Sequence, residues 1–169
     1  MGIARYYTAR MASMTEPRAL AALRSDDPAL VARAEAWLWR TWCHAGVEAI
    51  DELMRRGVAA MERGELGPAE TLFAEMIGRA PDFAEGWNKR ATVRYLREDY
   101  AGSIDDCREV LGRKPHHFGA LAGQGLCHMA RGEFDEAAEL FRRALEVHPR
   151  LAAVRRNLRA AISEMVRYN

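Results

Sequence analysis

The chain has 169 residues, 49% of them hydrophobic, and sets 25 lysines and arginines against 24 aspartates and glutamates. That length and apolar content suit one compact domain or a short repeat array with a real core, and they exclude a disordered tail. A formal charge of +1 lacks the basic excess of a nucleic-acid-binding chain.

Thirty alanines, with few Val, Ile and Thr, lean the whole sequence towards helix. No stretch reaches the roughly 18 apolar residues of a membrane span, and MGIARYYTAR lacks the apolar run of a secretory signal. Residues 1–16 are expected to be a flexible terminus. Arg5, Arg10 and the hydroxylated residues of 1–15, with no acid, leave a plastid or mitochondrial transit segment as the alternative. Cys43, Cys107 and Cys127 are odd in number with no CxxC spacing. Neither a disulfide framework nor a zinc site is indicated, no cofactor is expected, and a reducing cytoplasm is the simplest setting.

Residues 17–49 predict a short helix from Pro17 to Arg24 and a longer one from Pro28 to Ala45, read as a degenerate first pair of a helical array. On the longer helix Val31, Leu38, Trp39, Trp42 and Cys43 gather on one side, whereas Trp37 projects among Arg33, Arg40 and His44. Trp37 with Arg40 is either a cation–π contact or a second interface.

From residue 50 the sequence repeats with a period of 34 residues. Leu53, Trp87 and Leu121 fall in one column, Gly57, Ala91 and Gly125 in another, and Ala69, Ser103 and Ala137 in a third. Phe73, Cys107 and Phe141 follow, and Pro81, Pro115 and Pro149 close the units 50–83, 84–117 and 118–151. Apolar residues recur every three or four, and breakers sit midway near Gly64, Asp99 and Gly132, so each unit is a helix–turn–helix. The small residues are expected where two helices cross closely, and Asp82 with Glu85 spells a capping box. Residues 152–169 predict a capping helix with Val154, Leu158, Ile162 and Met165 or Val166 on one stripe.

The spacing, small residues and prolines of 50–151, as in AEGWNKRATVRYLREDYAGSIDDCREVLGRKP and FGALAGQGLCHMARGEFDEAAELFRRALEVHP, resemble the tetratricopeptide repeat family. PDFAEGWNKRAT and PHHFGALAGQG are similar to small bacterial and plastid proteins of that family. The resemblance implies an all-α, right-handed superhelix of helix pairs, a concave groove for peptides or partner proteins, and no intrinsic catalysis. It places the first helix of each pair on the concave side. The groove columns then hold Met54, Asn88, Ala122; Val58, Thr92, Leu126; Met61, Tyr95, Met129; and Glu62, Leu96, Ala130, with Lys89 alongside and bare backbone near Gly119 and Gly123. This mostly apolar floor suits an adaptable peptide site, unless packing between units or the N-terminal segment fills it.

Relatives that hold chaperone C-termini use a Lys/Asn/Arg clamp. Here the corresponding places hold Met54, Val58, Lys89, Gly119 and Gly123, which disfavours that ligand. Two columns that the family fills with Leu and an aromatic hold Arg56, Arg90, Gln124 and Ala60, Arg94, His128. Either these reach solvent, or Arg90 and Arg94 are buried with acids such as Asp105 or Asp106, because a buried unpaired Arg is very costly.

Catalysis is not expected. Cys43–His44 and Cys127–His128 are neighbours that point about 100° apart on a helix, His116 and His117 sit at an inter-repeat turn, and no HExxH, phosphate loop or GxSxG occurs. The sequence thus predicts a non-enzymatic adaptor or scaffold binding an unidentified protein segment, with a self-assembling homo-oligomer as the alternative and no nucleic-acid partner. The charge divides unevenly, at +3 over 1–25, −7 over 26–141 and +5 over 142–169.

Overall fold

Periodic apolar residues, interrupted by prolines and left-handed turns, produce helices throughout residues 14–168, the part of the chain described in the computed structural model. The expected flexible terminus falls outside the described residues over 1–13. The helices are α1 (Glu16–Ala22), α2 (Pro28–Trp42), α3 (Glu48–Glu62), α4 (Leu66–Arg79), α5 (Ala84–Leu96), α6 (Tyr100–Arg113), α7 (Phe118–Ala130), α8 (Phe134–Val147) and α9 (Ala152–Tyr168). From α3 onward each packs on the next, α5 also touches α7, and α9 closes the stack against α8 and α7.

Each pair turns on one left-handed residue, and these lie in a single repeat column: Gly64 (φ 75°), Glu98 (φ 63°) and Gly132 (φ 76°). Only the middle unit places a side chain there, and Asp99 follows as the N-cap of α6, its Oδ1 accepting from Gly102 N at 2.9 Å.

The crossings explain the small residues. A Cβ on Gly57 would lie 2.5 Å from the Phe73 ring, and one on Gly125 would lie 2.7 Å from the Phe141 ring. In the middle unit the phenylalanine column holds Cys107, and the glycine column can carry the methyl of Ala91. Ser103 donates from Oγ to the Ala91 carbonyl at 2.8 Å across the same crossing.

Three expectations are corrected. Asp82 and Glu85 do not form a capping box, because Phe83 occupies the N-cap of α5 and Glu85 is 1% exposed, its carboxylate engaged elsewhere. On α9 the inward stripe is Val154, Leu158, Ala161 and Met165, while Ile162 and Val166 are 39% and 75% exposed. The spacing four, three, four follows the 3.6-residue period more closely than successive steps of four.

The N-terminal pair departs furthest from the sequence reading. Val31, Ala34, Leu38 and Trp42 of α2 bury against Ala19 and Leu23 of α1 and against Phe118, with Val147 and Leu151 alongside. The core of the first unit, around Ile50, Leu53 and Phe73, draws in neither α1 nor α2. Instead of preceding the array as its first layer, the pair lies along the edge formed by the inter-repeat turns. Its polar ties are long-range in sequence. Glu16 accepts from Lys114 Nζ (3.0 Å) and Trp42 Nε1 (3.0 Å), and Arg150 donates to the Ser25 carbonyl (2.8 Å). Arg24 reaches the Glu146 carbonyl.

Candidate functional site

Asn88, Thr92 and Tyr95 from α5 and Leu126 from α7 come together around a cleft of about 210 Å³, with Cys107 and Gly123 among its walls. The cleft arises where the repeat columns depart from one another. Cys107 stands where the other units carry Phe73 and Phe141, and Gly123 stands where they carry Arg55 and Lys89. Two large side chains are therefore missing from one place. Gly123 is not required by packing, since a Cβ there would meet only the Cys107 sulfur, at an ordinary 3.8 Å. Glycine inside a helix costs about 0.5–1 kcal/mol relative to alanine, so the open space is kept at the expense of stability.

Ala122 also lines the cleft, and other groove positions are placed elsewhere. Met54 is 6% exposed in the core of the first unit, with Val58 and Met61 partly buried against it, so that unit packs its apolar columns rather than lining the cleft. Met129 packs in the same way on the core of the third unit. Leu96 is 51% exposed and lies outside the cleft lining.

One end of the cleft is closed by the N-terminal pair. Trp39 would lie 2.8 Å from a Cβ on Gly119, which lines the cleft, so the backbone expected to be bare there is covered. Lys89 Nζ stands 6.0 Å from the Trp39 ring centre and 3.3 Å from Glu85 Oε1. Trp37 is half-buried against the α1–α2 cluster and Arg40 is exposed.

Behind this end lies a residue set that sequence reasoning missed. His117 is fully buried, stacked 4.4 Å from the Trp42 ring centre. Its Nδ1 accepts from Ala120 N (3.0 Å), which leaves Nε2–H to donate to Glu85 Oε2 at 3.1 Å. Glu85 also accepts from Asn88 Nδ2 (2.8 Å) and from the Cys43 thiol (3.6 Å). Burial alone opposes ionisation of Glu85, but the hydrogen bonds from His117 and Asn88 and the Lys89 ammonium outweigh it and hold the carboxyl below its usual range. The one sequence signal was His117, whose column partners are Phe83 and Leu151, whereas Glu85 shares its column with another acid, Asp51.

Arg90 and Arg94 resolve as half-buried cations paired with acids. Asp106, 2% exposed, accepts from Arg90 Nε (2.9 Å) and one terminal guanidinium nitrogen (2.7 Å) and pairs with Arg94 at 3.1 Å, while Glu70 accepts from Arg94 Nε at 3.0 Å and also pairs with Arg97. Asp105 pairs with Arg108 on the surface instead. In the same columns Gln124 is buried, His128 Nδ1 lies 2.6 Å from Glu133, and Arg56 is exposed.

The arrangement supplies little for covalent chemistry. Burial pushes the Cys43 and Cys107 thiols up to about 12, so neither is a thiolate at neutral pH. Among the described residues no group of three or more His, Cys, Asp or Glu could hold a metal ion, and no helix is long and apolar enough to cross a membrane.

Comparison with known proteins agrees with this geometry. Tetratricopeptide repeat profiles match residues 54–118 and 118–151. A TPR repeat-containing protein of Rhizobium etli is 30% identical over 126 residues, which is 75% of this chain and 62% of that protein, so the chain spans less than two thirds of this relative. The TPR domain of Sgt2 from Aspergillus fumigatus superposes with a TM-score of 0.70 at 21% identity, over 73% of this chain and 83% of that one. The first TPR of Spaghetti (RPAP3), bound to the HSP90 peptide SRMEEVD, superposes with a TM-score of 0.68 at 18% identity, over 69% and 93%. At these identities the structural likeness is one of fold. Repeat profiles spanning 54–151, an all-α superhelix of helix pairs and a repeat-containing relative all agree, and the chain belongs to the tetratricopeptide repeat family.

Proposed function

We propose that the protein is a non-enzymatic adaptor that takes a segment of a partner protein along the face of α5 and α7 and anchors it by one bulky apolar side chain in the cleft. The observation that carries this reading is the convergence of Cys107 and Gly123, two departures from the repeat columns, on one open space of about 210 Å³ edged by Asn88, Thr92 and Tyr95. Apolar walls supply the affinity, and the Asn88 Oδ1 and Thr92 Oγ1 in the lining orient the segment by accepting its hydrogen bonds. Fold relatives bound to chaperone peptides make peptide binding a natural use of this architecture. An acidic chaperone tail is not the ligand we favour, because Lys89 is already paired with Glu85 and glycines stand at two of the clamp positions.

The test is selection from a displayed library of random peptides against the full chain, followed by binding of the enriched sequences to Gly123→Leu, which fills the cleft from an otherwise open position. The reading expects enriched peptides to share a large apolar residue and to bind Gly123→Leu at least about tenfold more weakly, the loss of one buried anchor. Peptides that bind the filled variant as well as the native chain would overturn it.

A further inference from the structure

The final helix turns an unpaired basic face to solvent. Its inner stripe is buried in the core, but Arg155, Arg156 and Arg159 are exposed and form no ion pair among the described residues, whereas Arg167 meets Glu164 at 2.9 Å. Two large aliphatic side chains share this outer face, Ile162 at 39% and Val166 at 75% exposure. Arg155, Arg159, Ile162 and Val166 follow at spacings of four, three and four residues, which sets them in one line along the helix. That is the spacing of a helix–helix seam, with cations along one half and aliphatic side chains along the other.

We propose that this line docks an acidic amphipathic helix of a partner protein, whose apolar residues cover Ile162 and Val166 and whose carboxylates pair with Arg155, Arg156 and Arg159. Charge complementarity selects the occupant. Residues 142–169 carry seven arginines against Glu146 and Glu164, so a second copy laid helix to helix would oppose arginine with arginine. A bilayer needs more buried aliphatic surface than two side chains offer. Nucleic acid would leave both uncovered and would find no aromatic ring in the line to stack its bases. The surface lies on α9, apart from the cleft between α5 and α7, so the two sites stand or fall separately.

The experiment titrates the full chain into a fluorescein-labelled synthetic peptide with leucines at coiled-coil positions and glutamates between them. A scrambled peptide of the same composition, vesicles of phosphatidylserine and phosphatidylcholine, and a DNA duplex run alongside. The patterned peptide is expected to bind about tenfold more tightly than the scrambled one, and the doubly substituted Arg155→Glu, Arg159→Glu chain to lose about tenfold. Ile162→Asp, at an exposed position, is the second variant and loses affinity without any change in the arginines. Circular dichroism confirms that both variants keep their helices. Equal binding of the scrambled peptide, unaltered binding by the variants, or tighter binding of vesicles or duplex overturns the proposal. So does self-association in sedimentation that Ile162→Asp abolishes, which would assign the seam to a second copy.

Discussion

Glu85, in the first turn of α5, and His117, the N-cap of α7, meet at 3.1 Å and join the two ends of the second unit, both fully enclosed, with the Trp42 ring stacked over the imidazole. Through this contact the N-terminal helices, the second unit and the start of the third share one buried polar knot. Because both nitrogens of His117 are occupied, one by a backbone N–H and one by Glu85, the ring also fixes where α7 begins.

The knot should be visible in acid. The Glu85 carboxyl is held below its usual range when folded, so its ionised form adds stability above the unfolded carboxyl pKa of about 4.3, and that stability is lost as the pH falls through the lower folded value. Glu85→Gln is expected to cost about 1–3 kcal/mol at pH 7 and progressively less below pH of about 4. Urea unfolding at several pH values measures the gap between the two chains, and a gap that stays constant into acid would remove Glu85 as its source.

Asp106 and Asp105 adjoin in sequence but differ in consequence. Asp106→Ala removes the carboxylate that Arg90 and Arg94 share, leaving Arg94 with Glu70 and Asp99, and is expected to cost about 3 kcal/mol. Asp105→Ala removes a surface pair with Arg108 and is expected to cost less than about 0.5 kcal/mol. Chemical denaturation of the two variants compares them directly.

Glu98 is the one non-glycine residue of the turn column and adopts φ 63°. Glu98→Gly relieves the clash of a Cβ in the left-handed region and is expected to raise stability by about 1 kcal/mol. Gly64→Ala and Gly132→Ala introduce the same clash and are expected to lower it by a similar amount. Thermal melts read the opposite signs.

Two glycines of α7, two residues apart, should also respond with opposite signs. Gly125→Ala drives a methyl into the Phe141 ring, 2.7 Å away, and is expected to cost about 1–3 kcal/mol. Gly123→Ala meets no atom closer than 3.8 Å and is expected to gain about 0.5–1 kcal/mol from helix propensity. A loss of stability at position 123 would show that packing, not the cleft, requires the glycine.

Much of the architecture was legible because it is written in short-range periods. The apolar recurrence of residues 50–151, their closing prolines and the small residues at the crossings place six helices and pair them. The cleft was legible in part. The groove columns contain Asn88, Thr92, Tyr95 and Leu126, but the same rule also selected Met54, Val58, Met61 and Met129, which pack into the cores of their own units. An apolar residue on the first helix of a pair satisfies the pattern whether it faces a neighbour or the open groove, so the columns alone do not separate the two.

The sequence by itself determined the repeat, its family and the pairing of the helices within 50–151, because each depends on residues within a few turns of one another. Tertiary structure alone decided where the N-terminal helices rest, which acid neutralises Arg90 and Arg94, and that an inter-repeat histidine is buried. Those outcomes rest on contacts between residues far apart in the chain, such as Glu16 with Lys114 and Trp39 with Gly119. An amphipathic helix records that it has an apolar face but not which surface will cover it. The near-even charge has the same character, since its basic share includes arginines held against a buried acid within the array and arginines exposed on the last helix with no ion pair among the described residues.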